Sequence, residues 1–205
     1  AVLTAAEVAY LDLKAVFNAQ VVADLIDAIG TVEYTDALKA KIDLARSALN
    51  NLSETDLTKL SAEKIKQLED AEFAYIDLQD TAAANNVILL INNIGTVEHT
   101  SASKEKIDLA RNAFDALSDN GKNKINDETL STLLNAEIEY EKLSAVEEFN
   151  ALVATLNSDS SANDIYSVAV QCKNLYESIE NKDFRSWHSN CSAMSHTMTA
   201  SAHSL

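Results

Sequence analysis

The stretch Gly30-Thr31-Val32-Glu33-Tyr34-Thr35, followed by Lys41-Ile42-Asp43-Leu44-Ala45-Arg46, decides the fold because it comes back. It returns as Gly95-Thr96-Val97-Glu98-His99-Thr100 and Lys106-Ile107-Asp108-Leu109-Ala110-Arg111, each residue 65 positions further on. Laid over one another without a gap, residues 14–78 and 79–143 share 28 identities in 65 positions. Self-similarity at one fixed period is the mark of a repeat architecture, in which each unit is one supersecondary element. The frame extends outward on both sides. Leu3, Ala6, Glu7, Ala9, Tyr10 and Leu13 match Leu68, Ala71, Glu72, Ala74, Tyr75 and Leu78, while Leu152, Val153 and Leu156 fall on Val87, Ile88 and Ile91. With a loop three residues shorter, Cys172, Lys173, Tyr176 and Ile179 fall on Ala110, Arg111, Phe114 and Leu117. The expected organisation is therefore the end of a preceding repeat over 1–13, whole repeats over 14–78 and 79–143, and a truncated repeat over 144–183. Residues 184–205 stand apart as a Ser/Thr/His-rich tail.

Within a repeat the apolar period is helical. Val22, Leu25, Ile26 and Ile29 mark a first helix that stops at Gly30, a residue that tolerates a left-handed backbone. Thr35 can cap a second helix whose Leu38, Ile42, Ala45, Leu49 and Leu52 are spaced 4-3-4-3. Ser53 begins a short helical turn through Leu57 and Leu60. Ser61, replaced by Asn126 in the next copy, can cap a third helix burying Ile65, Leu68, Ala71, Tyr75 and Leu78. Three such stripes close into a three-helix bundle. From Ala71 through Ile94 there is no Gly or Pro. The third helix of one repeat is accordingly expected to run into the first of the next, giving an all-α array of tandem bundles drawn out into a rod. A break at Asn85-Asn86 would instead give hinged beads.

Composition excludes several classes. Zero prolines and three glycines are far too few for the turns of a β-sandwich or barrel. A formal charge of −16 repels phosphate and anionic lipid, so nucleic-acid binding is not expected. The longest aliphatic run, Val87-Ile88-Leu89-Leu90-Ile91, is far short of the ~20 residues of a membrane span, and direct membrane insertion is not expected. Cys172 and Cys191 are too few for a disulfide framework.

Candidate chemistry is sparse. His188, Cys191, His196 and His203 are metal-ligating types, but their spacing fits no closed zinc motif, and no cofactor is expected. His99 is the one histidine of the repeated core, and its counterpart is Tyr34. A catalytic base would not exchange for a phenol between copies, so His99 reads as a loop aromatic covering the bundle end, and the chain as a non-enzyme. Asp159, Asn163 and Asp164 superficially suggest a calcium loop, but the mid-loop glycine and terminal glutamate are missing. The sharpest internal signal is the set identical in both copies: Glu33 and Glu98, Arg46 and Arg111, Glu72 and Glu137, Tyr75 and Tyr140. These residues either present a ligand face repeated along the array, where modest affinities combine, or satisfy the fold, the arginine pairing with a glutamate across the bundle above the tyrosine. The second reading is preferred, since copies of one fold must repeat their own structural requirements.

At Gly-Thr-Val-Glu-Tyr-Thr, Lys-Ile-Asp-Leu-Ala-Arg and Ala-Glu-Phe-Ala-Tyr the chain resembles the FIVAR-like three-helix modules of bacterial secreted and cell-wall proteins. The resemblance covers about residues 1–183. It implies a spacer or stalk segment of an extracellular surface protein, flanked by neighbouring repeats. The alternative it implies is an adhesin-like module for a host protein or glycan. It carries no shared binding residue onto this sequence.

Overall fold

A computed structural model of the chain describes residues 2–157 and 160–180. These residues form eight helices and, among the described residues, no strand. The helices are α1 (Val2–Asp27), α2 (Asp36–Asn50), α3 (Glu54–Leu57), α4 (Ala62–Asn92), α5 (Ser101–Asp115), α6 (Asp119–Asn123), α7 (Asp127–Ala154) and α8 (Ala162–Glu180). The secondary structure of the described residues is all-helical, in line with the lack of proline and shortage of glycine. None of the described helices is long and apolar enough to cross a membrane.

The local signals act where the sequence puts them. The Thr35 hydroxyl accepts from the Leu38 amide at 3.2 Å and starts α2, satisfying a donor that has no partner within the helix. Ser53 and Asp56 form a reciprocal capping box on α3. Ser61 and Asn126 occupy equivalent caps, accepting from the amides of Lys64 and Thr129. Gly30 and Gly95 adopt φ of +66° and +70°, a left-handed geometry that costs an L-residue steric strain. The helix before Gly30 ends at Asp27, earlier than the sequence suggests, and Ile29 enters the core from the turn, its amide donating to the Ile26 carbonyl. Leu52 likewise lies past the α2 cap, Asn51.

Three helices cross the repeat boundaries unbroken: α1 passes 13/14, α4 passes 78/79 and α7 passes 143/144. In α4 the segment Thr81–Asn86 stays helical. Thr81, the poor helix former of the Thr81–Ala84 stretch, turns its hydroxyl back onto the Asp77 carbonyl at 2.7 Å, which gives the hydroxyl a partner inside the helix without interrupting it.

The chain separates into two compact units. The first comprises Ala1–Leu90 with Arg111–Thr129. Its core gathers Ala19, Val22, Ala23, Ile26 and Ile29 from α1 and its end, Leu38, Ile42, Ala45 and Leu49 from α2, Leu60 from the connecting turn, and Leu68, Ala71 and Tyr75 from α4. Ile65 packs there only half-buried, and Leu78 is half-buried too. The second unit joins Ile91–Ala110 to the chain from Leu130 onward. Its buried residues include Ile91, Ile94, Ile107, Ala110, Leu133, Leu134, Ala136 and Ala145.

Burial keeps the period. Ala19, Val22, Ile26, Ile29, Ile42, Ala45, Leu49, Leu60, Leu68 and Ala71 are buried, and so is every residue 65 further on: Ala84, Val87, Ile91, Ile94, Ile107, Ala110, Phe114, Ile125, Leu133 and Ala136. One position breaks chemistry but not burial, Leu38 giving way to Ser103. The buried hydroxyl is satisfied, accepting from the Glu98 amide at 3.1 Å, as a buried polar group must be. By contrast α8, where the truncated repeat would lie, buries none of its described side chains.

Candidate functional site

Arg46 leaves α2 in its last turns and meets Glu72 of α4 in a bidentate pair, Nε to Oε1 at 2.6 Å and Nη2 to Oε2 at 2.5 Å. Both side chains are about two-thirds shielded. Fork-to-fork geometry of this kind adds direction as well as energy, and it binds the second helix of the repeat to the third. The hydrogen bond to Glu72 holds the Arg46 pKa above its ordinary value. One turn along α4, Tyr75 is buried, with its hydroxyl donating to the Thr35 carbonyl at 3.4 Å. Burial pushes its pKa upward. Tyr34 covers it, the ring centroids 5.4 Å apart and tilted by 50°.

The second copy reproduces the aromatic lid with different chemistry. His99 lies 5.2 Å from Tyr140 at 44°, so the exchange of phenol for imidazole preserves a tilted aromatic contact. Lys104 sits 5.9 Å from the Tyr140 ring centroid, and His99 Nδ1 also contacts the Glu147 carboxylate. Arg111 lies 5.5 Å from the Phe114 ring, whose centroid Lys122 approaches at 5.9 Å. Arg111 further contacts Asp115 at 3.7 Å. Glu137 is half-buried on α7, whereas Glu33 and Glu98 stand exposed in the turns before α2 and α5. The structure thus brings Arg46, Glu72 and Tyr75 onto one side of the first core and leaves Glu33 in solvent.

A second repeated pair escaped the sequence reading. Lys59 meets Asp12 at 2.6 Å, and Lys124, 65 positions on, meets Asp77 at 2.7 Å. In each pair the lysine follows a short helix, α3 or α6, and the aspartate lies near a repeat boundary on a continuous helix. Around Asp77 the joint is richer. Asn120 donates to Asp77 at 3.1 Å and to Asp80 at 2.8 Å, and Ser118 donates to Asp80 at 2.7 Å. The Lys124 bond holds the Asp77 carboxyl below its ordinary value, and the Ser118 bond does the same for Asp80. The identities were present in the sequence, Asp12 with Asp77 and Lys59 with Lys124. Forty-seven residues separate each lysine from its aspartate, and no local pattern links them.

A shallow cleft of about 220 Å³ lies between the end of α1 and α4, lined by Ile26, Ile29, Gly30, Val32, Gln67, Asp70 and Ala71. It is smaller than the several hundred Å³ usual for small-molecule sites. Among the described residues no group of three His, Cys, Asp or Glu side chains is placed to hold a metal. Asp164 caps α8 reciprocally with Ser161, whose hydroxyl depresses the Asp164 pKa. Asp159 and the tail residues His188, Cys191, His196 and His203 lie outside the described residues. No protein-family model matches the chain, and no curated protein or solved structure matches it.

Proposed function

We propose that the protein is a non-catalytic spacer, an array of ~65-residue three-helix bundles that share helices and extend into a rod. The observation that carries the reading is the 65-residue recurrence of burial together with helices that run unbroken through all three repeat boundaries. A helix common to two bundles leaves no linker to flex, and a bundle of this size is marginal alone. Packing against a neighbour then supplies stability and stiffness together. The repeated Arg46 and Glu72 engage each other, which supports a structural role for the set over an adhesin-like ligand face. Placement on the exterior of a bacterial cell follows the resemblance to FIVAR-like modules.

Small-angle scattering on the dilute full chain tests the proposal. Helices α1, α4 and α7 contain 26, 31 and 28 residues, or about 39, 46 and 42 Å at 1.5 Å per residue. An array in which they follow one another exceeds about 90 Å and gives a radius of gyration above roughly 25 Å. A compact chain of this length would give roughly 17 Å, and that result would end the spacer reading. Specific retention of the chain by a glycan or plasma-protein array, abolished by Arg111→Ala with Glu98→Ala at unchanged stability, would replace it with the adhesin-like reading.

A further inference from the structure

On α4 the residues turned away from the core form a strip of their own. Glu69, Phe73, Ile76 and Asp80 follow one another at spacings of four, three and four, which places them in line along one side of the helix. The strip is about 16 Å long at 1.5 Å per residue. Phe73 is 73% and Ile76 54% exposed. Neither lies near an end of the chain, since helices precede and follow α4, and both still stand in solvent. A carboxylate closes the strip at each end. Glu69 is exposed, and Asp80 accepts from the neutral donors Ser118 and Asn120 and so keeps its charge. The cations alongside are already engaged, Lys66 with Asp70 at 2.8 Å and Lys124 with Asp77 at 2.7 Å. The repeat does not demand this pattern. At the same places α7 carries Leu134, Ile138, Glu141 and Ala145. There Leu134 and Ala145 are buried and Ile138 is half-buried, so a face that is covered on α7 is bare on α4.

The geometry points to a docking surface for an amphipathic helix of another protein, one that carries basic, apolar, apolar and basic residues at the same spacings of four, three and four. The two apolar side chains of such a helix pack on Phe73 and Ile76 as in any helix pair, while its cations meet Glu69 and Asp80. The formal charge of −16 on the chain draws a cationic partner toward it. A second copy of this chain does not fit. The order acid, apolar, apolar, acid reads the same in both directions, so α4 laid against α4, parallel or antiparallel, sets carboxylate on carboxylate. Nor does the chain contain the complement itself. Arg111 and Lys122 are its only lysine or arginine pair eleven residues apart, and Asp115 and Ser118 stand where the apolar residues are needed.

A synthetic probe tests it: an alanine-based helical peptide of about 18 residues bearing Arg-x3-Leu-x2-Leu-x3-Arg, labelled and titrated with the full chain by fluorescence anisotropy. Wild type should bind it saturably, one peptide per chain. Phe73→Ala with Ile76→Ala should weaken binding by at least about tenfold, as removal of a central aromatic anchor does. Both side chains lie in solvent, so circular dichroism and the thermal melt should not change. The same residues in scrambled order should bind at least about tenfold more weakly than the patterned peptide. A peptide with one arginine replaced by glutamate should prefer Glu69→Lys over wild type, because in one of its two directions it meets the new lysine with glutamate and Asp80 with arginine. No saturable binding below about 1 mM, equal binding of the scrambled peptide, or binding indifferent to the loss of Phe73 and Ile76 overturns the proposal. The last two outcomes mark attraction to negative charge alone. All three leave the spacer reading untouched, since the strip belongs to α4 and not to the repeat.

Discussion

Leu133 on α7 repeats Leu68 on α4, and both side chains are completely shielded from solvent. Replacing Leu133 with Ala removes three carbon atoms from a closed environment. At ~0.8 kcal/mol per buried methylene the lost transfer energy is about 2.4 kcal/mol. The helix backbone on either side limits collapse around the void, and the residual cavity brings the expected loss to between about 2 and 5 kcal/mol. Leu68→Ala should fall in the same range, because the repeat places it in the same surroundings. Phe73→Ala supplies the contrast. Phe73 is a larger side chain on the same continuous helix as Leu68, but it is 73% exposed. Its removal surrenders little packing while alanine favours the helix, so stability should stay within about 0.5 kcal/mol of wild type. Urea unfolding followed by circular dichroism measures all three, with the slope checked for constancy across variants. If Leu133→Ala left the midpoint where it was, or if Phe73→Ala cost as much as either leucine, the assignment of the interior would be wrong.

Three further outcomes follow from particular contacts. A double-mutant cycle of Arg46→Ala and Glu72→Ala, read by the same unfolding assay, should give a coupling of about 1 kcal/mol that shrinks in high salt; a coupling near zero would refute the bidentate pair. Asp77 and Asp80 are held below the ordinary carboxyl value of 3.8, so they stabilise the fold above the unfolded carboxyl range, and that contribution disappears as the pH falls below 3.8 through their folded values. Asp77→Asn with Asp80→Asn should therefore lower stability at neutral pH and flatten the acid limb of the pH profile, whereas an unchanged limb would count against the network. Gly30→Ala meets no steric obstacle, since nothing lies within 4 Å of the added Cβ. It must nevertheless hold a left-handed backbone and should cost on the order of 1 kcal/mol, a loss that Gly30→Asn should largely avoid; equal stability of all three in a thermal melt would contradict the turn geometry.

Much of the fold was legible because helical periodicity and capping are local. Thr35, Ser53, Ser61 and Asn126 act as caps within three residues of the amides they serve, so short-range pattern reaches them. The interior was legible for a different reason: two copies report the same environment independently, and the buried positions are nearly all apolar in both, although the converse fails at Leu44 and Leu109, leucine in both copies and 56% exposed in each. Where reading failed, the cause is geometric. Ile29 and Leu52 continue the helical spacing but lie beyond the helices, because a turn residue can point into a core without helical backbone. Leu78 keeps the stripe of Tyr75 yet is only half-buried, since the stripe alone does not tell how far a neighbour extends along the helix.

The repeated residues expose a limit of a different kind. Identity between copies marks a position as constrained but does not say by what, and the structure separates the cases. Arg46 and Glu72 are constrained by each other, on helices that the sequence already defines, so their pairing was foreseeable. Asp12 with Lys59 and Asp77 with Lys124 were equally visible as identities, but each couples a continuous helix near a boundary to a turn of the following repeat. That link exists only once the helices are known to run through. Conversely Tyr34 and His99 differ, yet both lay a tilted ring over the tyrosine beneath. What the fold retains at that position is an aromatic surface and not an acid-base group. The exchange of a phenol for an imidazole, which looks like lost chemistry in the sequence, is conservative in shape and contact, and a search for function guided by identical residues alone would pass over it.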